Sequence, residues 1–145
     1  MITEIIIALL VVAISIVAYR YIVGIWPGSR VIVENPPENV PTVSEKNANF
    51  MIFYTDWCPY SQKAMEHWKS FKQMMTNSPK TYGGKTITFE EIDGDAEKGR
   101  TALYQVKEYP TFKLQTKDKL YIMLGNPSPA SFKAFLIGAL GKESS

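Results

Sequence analysis

From Ile5 to Trp26 the chain reads IIIALLVVAISIVAYRYIVGIW, an apolar run whose single charge is Arg20. Wound as a helix it would measure about 33 Å at 1.5 Å per residue, enough to cross the hydrocarbon core of a bilayer. A buried helix of a soluble domain is disfavoured, since the run would be apolar on every face. Arg20 lies near one end, where its long stem can snorkel to the headgroups, and Tyr19, Tyr21 and Trp26 suit an interfacial belt. A cleaved signal peptide is the rival reading. It would need a basic start, yet the chain opens Met1-Ile2-Thr3-Glu4, and the small-residue pattern Ala13-Ile14-Ser15 falls inside the run. The expectation is an uncleaved single-pass anchor over residues 1–26. Arg20 and Arg30 follow the apolar stretch while Glu4 and the α-amino group precede it, so the positive-inside rule directs the remainder to the cytosol. The chain has no Asn-x-Ser/Thr acceptor (Asn77-Ser78-Pro79 fails at its third position), which agrees with that side of the membrane.

What remains of the 145 residues is enough for one small domain. Sixteen Lys and Arg against 14 Asp and Glu leave a formal charge of +2, too weak and dispersed for a nucleic-acid partner. Pro27, Pro36, Pro37 and Pro41 punctuate residues 27–48, with only Val31-Ile32-Val33 as a short apolar stretch. This segment reads as a semi-extended proline-rich linker that holds the domain off the membrane.

Residues 49–145 carry the periodicities of a folded unit. Phe50 to Thr55 is a short apolar and aromatic run of the kind found in buried central strands. From Pro59 to Met75 the apolar residues Ala64, Met65, Trp68, Phe71, Met74 and Met75 recur at amphipathic-helix spacing. Asn77-Ser78-Pro79 and Gly83-Gly84 then break the chain. Strand-like alternation returns over Thr86–Asp93, a short helix follows over Glu97–Val106, and a strand over Tyr109–Gln115 pairs with Leu120–Leu124 in a hairpin. A last helix begins at Pro129 with Phe132, Phe135, Leu136 and Leu140 on one side. The order strand, helix, strand, helix, strand, strand, helix describes an α/β domain with a mixed four-stranded sheet covered by helices.

Cys58 is the only cysteine, so no intrachain disulfide can form. It stands at the seam between the first strand and the following helix. There the unpaired backbone N–H groups and the helix dipole stabilise a thiolate, and Pro59 suits the first helical turn. The competing reading is a small buried apolar residue. Thiol–disulfide chemistry with paired cysteines two residues apart uses one thiol to attack and the other to resolve. Here Ser61 holds the second position, so Cys58 can form a mixed disulfide that no neighbour displaces. His67, the only histidine, lies about 2.5 helical turns on and is expected to be a solvated surface residue facing away from the thiol. No cluster has metal-ligand spacing.

The segment Phe53-Tyr54-Thr55-Asp56-Trp57-Cys58-Pro59-Tyr60-Ser61 resembles the active-site segment of the thioredoxin and protein-disulfide-isomerase superfamily, and Val106-Lys107-Glu108-Tyr109-Pro110-Thr111 resembles its cis-proline loop. The resemblance covers about Asn49 to Leu140, and implies a thioredoxin-like fold after the transmembrane helix. It implies Cys58 and Ser61 at the catalytic positions, with Trp57, Pro59, Tyr60, Tyr109 and Pro110 around the substrate. Pro110 would be cis, leaving the Tyr109 backbone free to pair with an extended substrate. Cys-Pro-Tyr-Ser is also similar to glutaredoxin sites, but Trp57 and the Tyr-Pro-Thr loop favour the thioredoxin side. Members of the family commonly carry a buried Asp or Glu six residues before the nucleophile, as proton acceptor for the resolving cysteine; the matching residue here is Ile52. Resolver and acceptor are therefore missing together. Membrane-anchored domains of this kind are also similar to some encoded by large DNA viruses, which would place the chain at a virion membrane.

Two functions stay open. One is a monothiol oxidoreductase that attacks protein or glutathione disulfides and is released by an external thiol. It needs no cofactor beyond glutathione as co-substrate; its partners are protein thiols or disulfides, with lipid around the anchor. The other is a non-catalytic thioredoxin-fold module that binds a partner at a membrane.

Overall fold

The computed structural model describes residues 1–23 and 31–145. Helix α1, Ile2–Val23, carries the expected apolar run from Ile5 as far as Val23, and the last three residues of that run lie outside the described residues. Its stretch Ile2–Arg20 meets the length and composition of a membrane span, and equally those of a signal sequence's apolar core. Trp26, Pro27 and Arg30, used above for the interfacial belt, the linker and the orientation, lie outside the described residues.

The domain is built from strands β1 (Val31–Glu34), β2 (Asn47–Tyr54), β3 (Thr81–Tyr82), β4 (Lys85–Asp93), β5 (Thr111–Gln115), β6 (Leu120–Met123) and β7 (Glu143–Ser144). Between them run helices α2 (Pro59–Asn77), α3 (Lys98–Leu103) and α4 (Pro129–Leu140). The strands form one sheet in the order β1-β6-β5-β2-β4-β3-β7. β2 pairs parallel with β4, across the α2 connection, and antiparallel with β5. The four expected strands are β2, β4, β5 and β6, in the expected mixed arrangement.

Central strand β2 is apolar on both faces because both are covered, as buried strands between helical layers require. Ala48, Phe50 and Ile52 join Trp68, Phe71, Phe112, Leu114, Phe132 and Leu136 in the larger core, against α2 and α4. Met51 and Phe53 join Ile92, Tyr104 and Leu120 in the smaller core on the opposite face. α4 starts at a capping box in which the Ser128 hydroxyl accepts from the Ser131 N–H, with Pro129 in the first turn.

Three strands add to the expected four and correct the domain boundary. Val31–Glu34 is no part of a linker: it pairs antiparallel with Leu120–Met123, and Val31 packs against the larger core. Gln115 Nε2 donates to the Pro41 carbonyl at 3.0 Å, and Val40 packs on the smaller core. The domain therefore begins by residue 31, not 49. The β-branched residues 31–33 suit an edge strand, and Pro36 and Pro37, which cannot donate to a ladder, follow where it stops. Gly83 and Gly84 have φ of 56° and 76° and turn the chain from β3 into β4, a two-residue hairpin connection that favours glycine at both positions. β3 in turn pairs with β7 at the chain's end.

The face against α3 carries buried polar groups. Tyr104 donates its hydroxyl to Gln115 Oε1 at 2.6 Å, and Lys113, itself 4% exposed, places Nζ 2.5 Å from the Tyr104 carbonyl. Burial pushes the Lys113 ammonium below its ordinary pKa, partly opposed by Glu34. A lysine whose folded-state pKa is lowered binds fewer protons folded than unfolded. Its penalty is therefore fully present below the folded pKa and is relieved as pH rises through it toward about 10.5. Lys113→Met is expected to leave stability unchanged or raise it by up to about 2 kcal/mol at neutral pH, since one buried cation with one acceptor is replaced by an apolar chain of similar length. Urea unfolding across pH checks this: the gap between variant and wild type should narrow toward about pH 10.5.

Candidate functional site

Cys58 is the N-cap residue of α2, with extended backbone angles (φ −85°, ψ 118°) and Pro59 next in the first turn. Strand β2 ends at Tyr54, and Thr55 and Ser61 form the floor beneath the turn. Both are buried, and the Thr55 N–H donates to Ser61 Oγ at 3.3 Å. The Thr55 hydroxyl is buried and has no hydrogen-bond partner among the described residues. Ser61 thus occupies the expected position one turn after Cys58, with its side chain turned inward. Ile52 is fully buried in the larger core among Ala64 and Trp68, so no carboxylate stands at that place.

The thiol of Cys58 is held below its ordinary pKa. The first cause is the hydrogen bond from the Ser61 backbone N–H; burial opposes it, and the Tyr60 N–H and Ser61 hydroxyl add to it. On its other side Sγ lies 3.7 Å from the Tyr109 carbonyl, which can accept from the thiol. That contact favours the protonated form, but it is long, and the donors at the helix end outweigh it. Cys58 is 8% exposed, whereas its neighbours Trp57 and Tyr60 are 67% and 77% exposed.

The Tyr109–Pro110 peptide bond is cis, as expected. Tyr60, Tyr109 and Pro110 come together along a groove of about 590 Å³. Its α2 wall adds Lys63, Ala64 and His67, and its opposite wall runs through Glu108 and Leu124 to Pro127. Trp57, Cys58 and Pro59 are not among the lining residues, and Cys58 meets the groove only through its contact with Tyr109. Trp57 instead donates its indole N–H to Asp95 Oδ2 at 2.8 Å. His67 departs from expectation: it is half-buried in the groove, not solvated on an open face. Tyr60, Lys63, Ala64 and His67 are spaced three and four apart, so helical periodicity alone places them on one face of α2. What the sequence does not supply is the second wall, which reaches this face only through folding of the β6–α4 connection. Asp56 is exposed, as expected of a surface neighbour. Among the described residues, no group of three His, Cys, Asp or Glu side chains is arranged to hold a metal ion.

The β4–α3 connection supports both halves of this site. Asp93 Oδ1 accepts from the Asp95 and Ala96 N–H groups, and the Gly94 N–H donates to the Tyr54 carbonyl at 2.7 Å. Asp95 holds Trp57 on one side, while Gly94 lies under the ring of Tyr109 on the other.

A family model described as Thioredoxin matches residues 31–137, and the chain belongs to the thioredoxin family. That match begins where β1 begins. Among solved structures, the chain resembles human ERp44 in its zinc-bound form, at 20% identity and a TM-score of 0.54, over 63% of this chain and 25% of that one. It also resembles the Trx4 domain of ERdj5, at 17% identity and a TM-score of 0.55, over 69% and 85%. A third is the first thioredoxin domain of mouse protein disulfide-isomerase A4, at 19% identity and 0.52, over 63% and 62%. At these identities the likeness is one of fold. The chain spans about a quarter of the length of the ERp44 structure it matches. No curated protein matches its sequence.

Proposed function

We propose that this member of the thioredoxin family is a membrane-anchored monothiol protein whose Cys58 forms mixed disulfides with client disulfides. The reading rests on one observation above all: the sole thiol caps a helix N-terminus, receives backbone donors there, and sits beside the cis-proline loop. In the reaction the Cys58 thiolate attacks one sulfur of a disulfide along the axis of its S–S bond. A new bond forms between Sγ and that sulfur as the old bond breaks, and the other sulfur leaves as a thiolate with the electron pair, later protonated from water. Ser61 cannot repeat the step from within, so an external thiol such as glutathione, or a second protein thiol, returns Cys58 to its reduced form. The groove along Tyr60, Tyr109 and Pro110 would receive the polypeptide around the client's sulfur. Helix α1 would tether the domain to a bilayer, and the Arg20 and Arg30 bias favours the cytosolic side.

The pH dependence of Cys58 alkylation tests the reactive state. Because the folded-state thiol pKa is lowered, the thiolate persists to lower pH than in an unstructured peptide. The rate with iodoacetamide is expected to reach half its plateau below about 8.5, the value of a free thiol. A midpoint at or above that value would favour the second reading, a binding module in which the fold presents Trp57 and Pro110 to a partner and Cys58 does no chemistry.

A further inference from the structure

Gly94 is buried in the β4–α3 connection, and its φ is not in the left-handed region where glycine alone is at ease. Its backbone would accept alanine. The requirement for glycine lies in what faces it: a Cβ at this position would stand 2.5 Å from Cε1, Cζ and the hydroxyl oxygen of Tyr109. Tyr109 is the residue before the cis-proline, its carbonyl lies 3.7 Å from Cys58 Sγ, its side chain packs against the smaller core, and the residue also lines the groove. We propose that Gly94 is a specificity-determining residue: it seats the Tyr109 ring and so keeps the groove beside Cys58 open to a polypeptide. The inference rests on the monothiol reading above and adds to it what controls access to the thiol.

A Cβ at residue 94 fills the seat of the ring, and the ring must move. The conflicting atoms are the far end of a side chain, so the ring turns away and the backbone stays in place. The cavity that Tyr109 lines is the groove, and the displaced ring is expected to turn into it. A ring turned into it narrows the path that an extended chain must take, while a compact reagent can still reach Sγ. Gly94→Ala should therefore separate large disulfides from small ones without altering the thiol itself.

The test uses the full chain in detergent micelles and follows mixed-disulfide formation by intact mass with two reagents. One is a disulfide-linked pair of single-cysteine decapeptides; the other is 2-hydroxyethyl disulfide. In Gly94→Ala the rate with the peptide, relative to the small disulfide, is expected to fall about tenfold or more, as misplaced approach geometry commonly costs. In a Tyr109→Ala background, where no ring needs a seat, adding Gly94→Ala should change neither rate, a double-mutant result that a general loosening of the loop would not give. An unchanged ratio in Gly94→Ala overturns the proposal, as does an equal fall with both reagents or a fall that survives in the Tyr109→Ala background. Failure of Gly94→Ala to fold also overturns it, since the ring could then not leave its seat. Wild type that reacts with neither reagent removes the monothiol reading itself.

Discussion

Ser61→Cys is expected to give a faster reductase turnover than the wild type, whose mixed disulfide waits for an external thiol. Ser61 stands one helical turn after Cys58, and its backbone N–H is the leading cause of the lowered thiol pKa, so a thiol on the same residue lies within reach of a mixed disulfide at Cys58. Intramolecular attack at this distance should shorten the lifetime of that mixed disulfide by at least about a hundredfold, a small part of what well-oriented neighbouring groups achieve. The side chain is buried and its hydroxyl accepts from the Thr55 N–H, a weak bond at 3.3 Å. Exchanging oxygen for sulfur there should cost about 1 kcal/mol of stability. The gain in turnover should be partial, because the buried position that would take the proton holds Ile52. Adding Ile52→Asp is expected to raise activity further, while destabilising the domain by several kcal/mol, on the order of 3 or more, through a carboxyl among Ala64, Trp68 and Phe112. Insulin reduction by wild type, single and double variants reads the activity, and urea unfolding reads the cost.

Phe50→Ala should produce the largest loss of stability in the domain. The Phe50 ring lies 4.8 Å from that of Trp68, 5.6 Å from Phe135 and 5.7 Å from Phe132. It thereby joins the central strand to both helices of the larger core. Removing it leaves a cavity among rings that cannot all collapse inward, so the expected cost is about 3–5 kcal/mol. That is a large share of the roughly 5–15 kcal/mol by which single domains are stable. Phe50→Leu, which refills most of the space, should cost far less. The measurement is the urea midpoint, with unchanged slope if the folded state remains compact.

The elements legible in the sequence are those whose burial sets a long period. β2 shows itself as an apolar run because it is covered on both faces, and α2 and α4 because their buried residues recur three and four apart. The turn that carries the thiol is legible too, since Cys58 and Pro59 mark the strand–helix seam. β1 is not, because four residues bounded by prolines carry no period, and what makes Val31–Glu34 a strand is β6, far along the chain. β3 and β7 have two residues each and exist only through their partners. His67 is misread for a related reason: the helix face is predictable, but the wall opposite it is a product of tertiary folding. Gly94 gives no local signal either, as the reason for glycine is the ring of Tyr109.

If Cys58 is a competent nucleophile lacking only its resolver, a mixed disulfide at Cys58 forms and persists. Incubating the reduced full chain with a disulfide-linked peptide, removing excess peptide, and following intact mass over time tests it most directly. The expected result is one peptide added per chain, located at Cys58, persisting without external thiol and lost promptly on adding glutathione, with no adduct in Cys58→Ser of normal fold. A wild-type chain that emerges unmodified while its thiol remains reduced would contradict it.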